Sequence, residues 1–189
     1  MTAYTDFSDI PLFRYGLIMA DPPWHFENWS ARGEEKNASA QYNCMTLDDI
    51  RAMPVGHLAA KDCILFLWAT NPLLPQAFEV MSAWGFEFKT AGHWSKKTSK
   101  GNQAFGTGYI LRCAGEPFLI GTVGEPWTAK NVRSVIEGPV REHSRKPDEA
   151  FNEAERLAGN VNRLELFSRQ ERPGWDAFGN EVQKFEGAV

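Results

Sequence analysis

Asp21, Pro22, Pro23 and Trp24 stand consecutively, directly after an apolar run. Each brings a separate piece of chemistry. The Asp21 carboxylate accepts hydrogen bonds. Two prolines in succession stiffen the backbone and remove two N–H donors, which leaves carbonyl oxygens as acceptors. Trp24 offers an aromatic face. Two acceptors and an aromatic plate within four residues suit a planar ring bearing an exocyclic NH2 group, such as adenine. Asp21 and the Pro22 carbonyl would each take one N–H. Trp24 would stack on the ring, a contact of roughly 1–3 kcal/mol per base. The plainer alternative is a turn with a capping aspartate and a core tryptophan.

A run of elements must position that tetrapeptide. Tyr15 to Ala20 reads as a buried strand that stops at the prolines. Cys63 to Ala69 reads as a second strand, ending at Thr70-Asn71-Pro72. Apolar spacing predicts a helix from Pro72 to Trp84, closed by Gly85. Phe86 to Trp94, Pro117 to Val123 and Asn131 to Glu137 read as further strands. Lys146-Pro147-Asp148-Glu149 opens a helix to about Ala158, with proline and acids in its first turn. Arg163 to Ser168 is the last strand. Strands alternating with helices predict an α/β fold, a mostly parallel sheet with helices on both faces. Ligands in such sheets bind where strands end, as Asp21, Asn71 and Arg169 do. Two polar stretches interrupt the pattern, Glu27 to Asn43 and Ser95 to Gly108, and loops of that length are usually functional or disordered.

Composition sets the outer limits. At 189 residues, the chain predicts one domain with a core large enough to need no staple. Apolar residues make up 43% and charged residues 23%, so the sequence is neither disordered as a whole nor fibrous. No apolar run is long enough for a membrane helix. The three cysteines, Cys44, Cys63 and Cys113, fit a reducing compartment such as the cytoplasm, and Cys63 and Cys113 read as core thiols. His25, His57, His93 and His143 lack metal-ligand spacing, so no metal is expected. A net charge of −4 argues against a uniformly basic nucleic-acid binder. Residues 93–146, however, hold nine Lys/Arg and four Glu, a balance of +5 against −9 elsewhere. That middle either faces a polyanion or is a solvated loop surface.

The motifs, taken in order, resemble a known family. Ala20-Asp21-Pro22-Pro23-Trp24 is similar to the signature of the MT-A70 family of S-adenosylmethionine-dependent adenine N6-methyltransferases. Leu65 to Pro72 resembles its next strand and exit, and Ala83-Trp84-Gly85-Phe86 its helix-to-strand turn. Ser144 to Glu149 resembles its S-x-K-P-x-E segment. Glu165 to Arg169, Arg172 to Trp175 and Gly179 to Glu181 resemble its C-terminal end. The resemblance implies a Rossmann-like methyltransferase fold in the permuted, β-class motif order, with the catalytic motif first and the cofactor strand last. It implies S-adenosylmethionine as cofactor and no glycine-rich cofactor loop.

The resemblance also implies roles. Asp21 to Trp24 are the catalytic motif. Lys146 matches a lysine near the methionine carboxylate, and Arg169 an arginine near the ribose. Asn180 and Glu181 match residues on the ribose hydroxyls. Gln170-Glu171 stands where some eukaryotic relatives carry His-Asn. On the substrate side, Tyr42 resembles an aromatic that closes over a flipped base, or it is core. Asn71 either lines the pocket or caps the Pro72 helix. Lys96, Lys97 and Lys100 lie in a basic stretch, Ser95 to Lys100, read as a loop that meets phosphates. The implied activity is DNA adenine N6-methylation in a bacterial or phage setting, with weak sequence specificity or with a second copy or a partner subunit supplying target recognition. The alternatives are RNA as the polymer, or an inactive nucleic-acid-binding subunit of the same fold. Intact Asp21, Lys146, Arg169 and Asn180 argue against the inactive subunit. Cytosine-N4 enzymes commonly carry S-P-P-Y/W instead.

Overall fold

The computed structural model describes residues 1–24, 45–108, 110–141 and 145–182. Its strands are β1 (Ala3–Tyr4), β2 (Tyr15–Ala20), β3 (Ala59–Trp68), β4 (Glu87–Lys97), β5 (Gly115–Val123), β6 (Val135–Pro139), β7 (Arg163–Leu166) and β8 (Asp176–Phe178). Among the described residues they form one eight-stranded sheet in the order β1-β8-β7-β2-β3-β5-β4-β6. Every pairing is parallel except the two that β5 makes, with β3 and with β4. This is the mixed, mostly parallel sheet that the resemblance implies.

β2 shows why the sequence reads as it does. All six of its residues are buried. It lies between β7 and β3, so both its edges are paired, and a packed core covers each of its faces. Ile18 and Ala20 point into one core and Leu17 and Met19 into the other. A strand covered on both faces has no polar side to alternate with.

Three α-helices cover the two faces among the described residues. The first core is roofed by α1 (Leu47–Ala52) and α2 (Leu74–Ala83). Thr46 caps α1 by accepting the Asp49 N–H at 3.1 Å. A 3-10 turn, Asn71–Leu73, leads into α2. Gly85, at φ 82°, reverses the chain into β4. The second core packs under α3 (Asp148–Ala158), through Ala150, Phe151, Ala154 and Ala158. Trp175 joins it edge-on to Phe151, and its indole N–H donates to Glu155 at 2.7 Å.

The sequence placed most elements but not all their ends. β3 begins at Ala59 rather than Cys63, because Lys61 and Asp62 sit near a shift in its register with β2 and break the apolar run. β4 continues through Ser95, Lys96 and Lys97, which the sequence assigned to a loop; β6 pairs alongside them and extends the strand. β6 itself is Val135–Pro139 rather than Asn131–Glu137. β1, β8 and α1 had no sequence counterpart. Cys63 is buried in β3, whereas Cys113 is half-buried, its Sγ 2.9 Å from the Gly115 carbonyl.

One close approach pins β4 to β5. Phe118 stacks on Phe66 with ring centroids 4.2 Å apart, and its edge covers Gly92. A Cβ on Gly92 would lie 2.1 Å from the Phe118 ring and 2.6 Å from the Ser134 carbonyl. Gly92→Ala should therefore destabilise the protein by about 1–3 kcal/mol through overpacking. Urea unfolding checks this, as a lower midpoint at an unchanged m-value. An unchanged midpoint would show that β4 yields there at little cost.

Candidate active site

The parallel strands all end on one edge of the sheet, and reversed β5 begins there. That edge collects the site. Asp21 leaves β2, Thr70 and Asn71 leave β3, and Lys96 is the next-to-last residue of β4. Glu116 starts β5 directly opposite Trp94. Lys146 precedes α3, Arg169 follows β7, and Asn180 and Glu181 follow β8.

At its centre is a chain of alternating charges. The Lys146 residue is only 8% exposed. Its Nζ lies 2.8 Å from Asp21 Oδ2 and 2.6 Å from Glu116 Oε1. The other Glu116 oxygen, Oε2, takes Lys96 Nζ at 3.0 Å. Each ammonium also rests on an indole. Lys146 Nζ is 5.1 Å from the Trp68 ring centre and Lys96 Nζ 4.6 Å from that of Trp94. Two carboxylates and two ammoniums cancel, which is how buried charge is tolerated.

The titrations follow from this arrangement. Burial works against the Lys146 charge, but Asp21 and Glu116 outweigh it and hold the ammonium above its usual range. Burial raises the Asp21 carboxyl, and Lys146 pulls it back only in part while Glu116 adds to the rise. For Glu116 burial acts upward too, but Lys146 and Lys96 together carry it below its usual range. Asp21 thus belongs to a carboxyl more easily protonated than an ordinary one.

The motif backbone is shaped by its own bonds. The Pro22 carbonyl accepts the Trp24 N–H at 2.8 Å, so one of its lone pairs is engaged. The Pro23 carbonyl accepts the Met45 N–H at 3.1 Å. Trp24 is not the expected stacking plate. It is 7% exposed, packed in the first core, and its indole N–H donates to the Trp68 carbonyl at 3.2 Å. A buried indole needs an acceptor for its N–H, and the exit of β3 supplies one. Trp24 therefore fastens the motif to β3.

The loops after β7 and β8 meet closely. A Cβ on Gly179 would fall 2.2 Å from the Ser168 carbonyl. The Ser168 N–H donates to the Phe178 carbonyl at 2.8 Å. Across this seam Arg169 Nε reaches Glu181 Oε2 at 3.2 Å. Arg169 also acts electrostatically on Asp21, so the two loops belong to the same site. Asn180 is exposed beside them.

Other expected residues scatter. Lys96 belongs to the charge chain, inside β4 and not on a loop. Lys97 is also in β4 and pairs with Glu137 of β6 at 3.0 Å. Lys100 alone is exposed on the turn beyond. Asn71 is exposed at the β3 exit, its carbonyl accepting the Leu74 N–H. Tyr42 lies outside the described residues.

Sequence reasoning missed two acids. Glu116 precedes an apolar run, and Glu165 interrupts one. An acid embedded in a strand that is otherwise buried was the available signal. Burial pushes the Glu165 carboxyl up to about 7. Ser168 Oγ stands 2.9 Å from Glu165 Oε2 and 2.7 Å from the Gln170 carbonyl.

Comparison with known proteins agrees with this layout. A family model described as MT-A70 matches residues 15–181. The type II methyltransferase M.MunI of a Mycoplasma species is 28% identical over 194 residues, covering 93% of this chain and 81% of that protein. A probable N(6)-adenosine-methyltransferase MT-A70-like protein of Oryza sativa subsp. japonica is 32% identical, covering 90% of this chain and 23% of its own length. The human N(6)-adenine-specific methyltransferase METTL4 is 30% identical, covering 93% of this chain and 40% of its own length. With a family model running through both the motif after β2 and the loops after β7 and β8, the chain belongs to the MT-A70 family.

Proposed function

We propose that this chain methylates the exocyclic N6 of adenine in DNA, with S-adenosylmethionine as methyl donor. The observation that carries the reading is the Asp21 carboxylate at the end of β2, held through one oxygen by buried Lys146. The names of the relatives support it: two are named for N6-adenine or N6-adenosine methyl transfer. DNA is the polymer of this reading, and similarity to a type II methyltransferase and to an enzyme named N(6)-adenine-specific supports it.

The residues suit the cofactor. A buried ammonium beside a carboxylate matches the zwitterionic end of methionine, with Lys146 for its carboxylate and Asp21 near its ammonium. Glu181, Asn180 and Arg169 form a polar group suited to ribose hydroxyls. Bound there, the cofactor supplies an electrophilic methyl group on a sulfonium.

What remains is to make a poor nucleophile attack. The N6 lone pair of adenine is delocalised into the ring. Hydrogen bonds from both N6 hydrogens to fixed acceptors favour a pyramidal nitrogen with a localised lone pair. Asp21 accepts one, and the second lone pair of the Pro22 carbonyl accepts the other. Such preplaced dipoles act without reorganising, and the rest is alignment. No strong base is required, since the nitrogen loses its extra proton readily after transfer. Lys146 tunes the acceptor: it draws Asp21 back toward the charged form, while Glu116 shares the Lys146 ammonium.

Labelled S-adenosylmethionine offered with methylation-free duplex DNA, single-stranded DNA or RNA tests the reading, with nucleosides identified by mass spectrometry. N6-methyladenine in DNA is expected from the intact protein, and Asp21→Ala should lower the rate about a hundredfold or more. Product in RNA alone would reassign the polymer. Absence of both product and cofactor binding would overturn the enzyme reading. The pH profile of kcat/KM gives a second test. Lys146→Met removes the cation that lowers Asp21, so its acid limb should move to higher pH. Glu116→Gln removes a like charge that raises Asp21, so the limb should move to lower pH. Shifts in the same direction, or none, would show that another group controls the rate.

A further inference from the structure

Large apolar side chains stand in water beside the site. Ile110 is 95% exposed, and Leu111 and Phe105 are each 83% exposed. All three lie on the connection between β4 and β5. Single exposed apolar residues are ordinary, but three on one loop next to a cleft mark a contact surface.

The loop does not fold them away, because its own bonds hold it open. The Ala104 N–H donates to the Lys96 carbonyl at 2.8 Å, the Gly106 N–H to the Cys113 carbonyl at 2.8 Å, and the Cys113 N–H to the Thr107 carbonyl at 3.0 Å. The Gln103 amide nitrogen ties the Lys96 and Ala114 carbonyls at 3.0 and 2.6 Å. Gly108 lets the Leu111 carbonyl come where a Cβ would be 2.0 Å away. Gly106 and Gly108 thus serve close packing here.

Position and charge choose the occupant. Leu111 is five residues from Glu116, at most about 18 Å along the chain, and Glu116 touches the lysine that holds Asp21. Lys100 and Arg112 flank the apolar group within the segment whose balance is +5 in an otherwise acidic chain. An apolar tip inside a basic segment, next to a base-modifying site, fits a nucleic acid better than a protein face.

Resting on the N6 reading, we propose that Ile110 and Leu111 are a wedge. They enter the stack of a nucleic-acid duplex beside the target adenine and fill the gap it leaves. N6 chemistry in a duplex requires the base to leave the stack. Apolar side chains inserted between base steps are a known way to offset the lost stacking.

The test compares substrates that differ in how much stacking must be broken. Ile110→Ala/Leu111→Ala is assayed on a paired duplex, on the same duplex with an abasic site opposite the target, and on the single strand. Both positions are exposed, and unchanged urea unfolding confirms that the variant folds. The wedge predicts a loss of roughly tenfold or more on the paired duplex, with at most a twofold loss on the other two. The fluorescence rise of 2-aminopurine at the target position should fall in parallel without turnover. Equal losses on all three substrates, or no loss, would overturn the wedge. So would a dimer that the same substitutions dissociate in sedimentation, which would assign the surface to a second copy of the chain. Methylation by the intact protein of single strands only would overturn the wedge while leaving adenine methylation standing. No methylation of any substrate would instead remove the reading on which it rests.

Discussion

Lys146 carries a charge that the interior would reject if it stood alone, and the site is arranged around keeping it. Asp21 and Glu116 flank it, Lys96 balances the second carboxylate, and Trp68 lies beneath it. Breaking such a buried set by removing one partner typically costs about 3–5 kcal/mol. The set also joins what the chain separates. Its four charged members come from the end of β2, the end of β4, the start of β5 and the approach to α3. The sheet order brings those points together, so the charges report that the edge has assembled as much as they serve its chemistry.

Burial explains why the acids of this edge behave differently from one another. Glu116 has two ammoniums and drops below the ordinary range. Asp21 shares one and rises. Glu165 is buried, has no ammonium in contact among the described residues, and rises to about 7. Three carboxyls on one edge of the sheet thus shift in different directions according to the cations that reach them.

The fold was legible where burial on both sides forced continuous apolar runs, as in β2, β5 and most of β3. It was illegible where pairing alone makes a strand: β1 and β8 have two and three residues, too few for a period to show. That Asp21, Lys146, Arg169 and Glu181 would meet at one edge was legible because they belong to motifs. Glu116 and the role of Lys96 were not, since their meaning lies in a contact across strands 20 residues apart in sequence. Trp24 was misread for a related reason. The sequence shows that an aromatic follows the prolines, but only the position of the β3 exit decides which way its ring turns.

The single reversed strand has a further result. Because β5 runs against β3 and β4, the connection from Lys97 to Gly115 leaves and returns at the same edge, with no helix to cross and no layer to cover. Every other connection between neighbouring parallel strands must traverse a face of the sheet, and its length is constrained by the core it passes over. This one is free to lengthen, shorten or change composition without disturbing either core. A family built on this sheet can therefore diversify what it recognises by rewriting one edge hairpin while the chemistry beside it stays fixed.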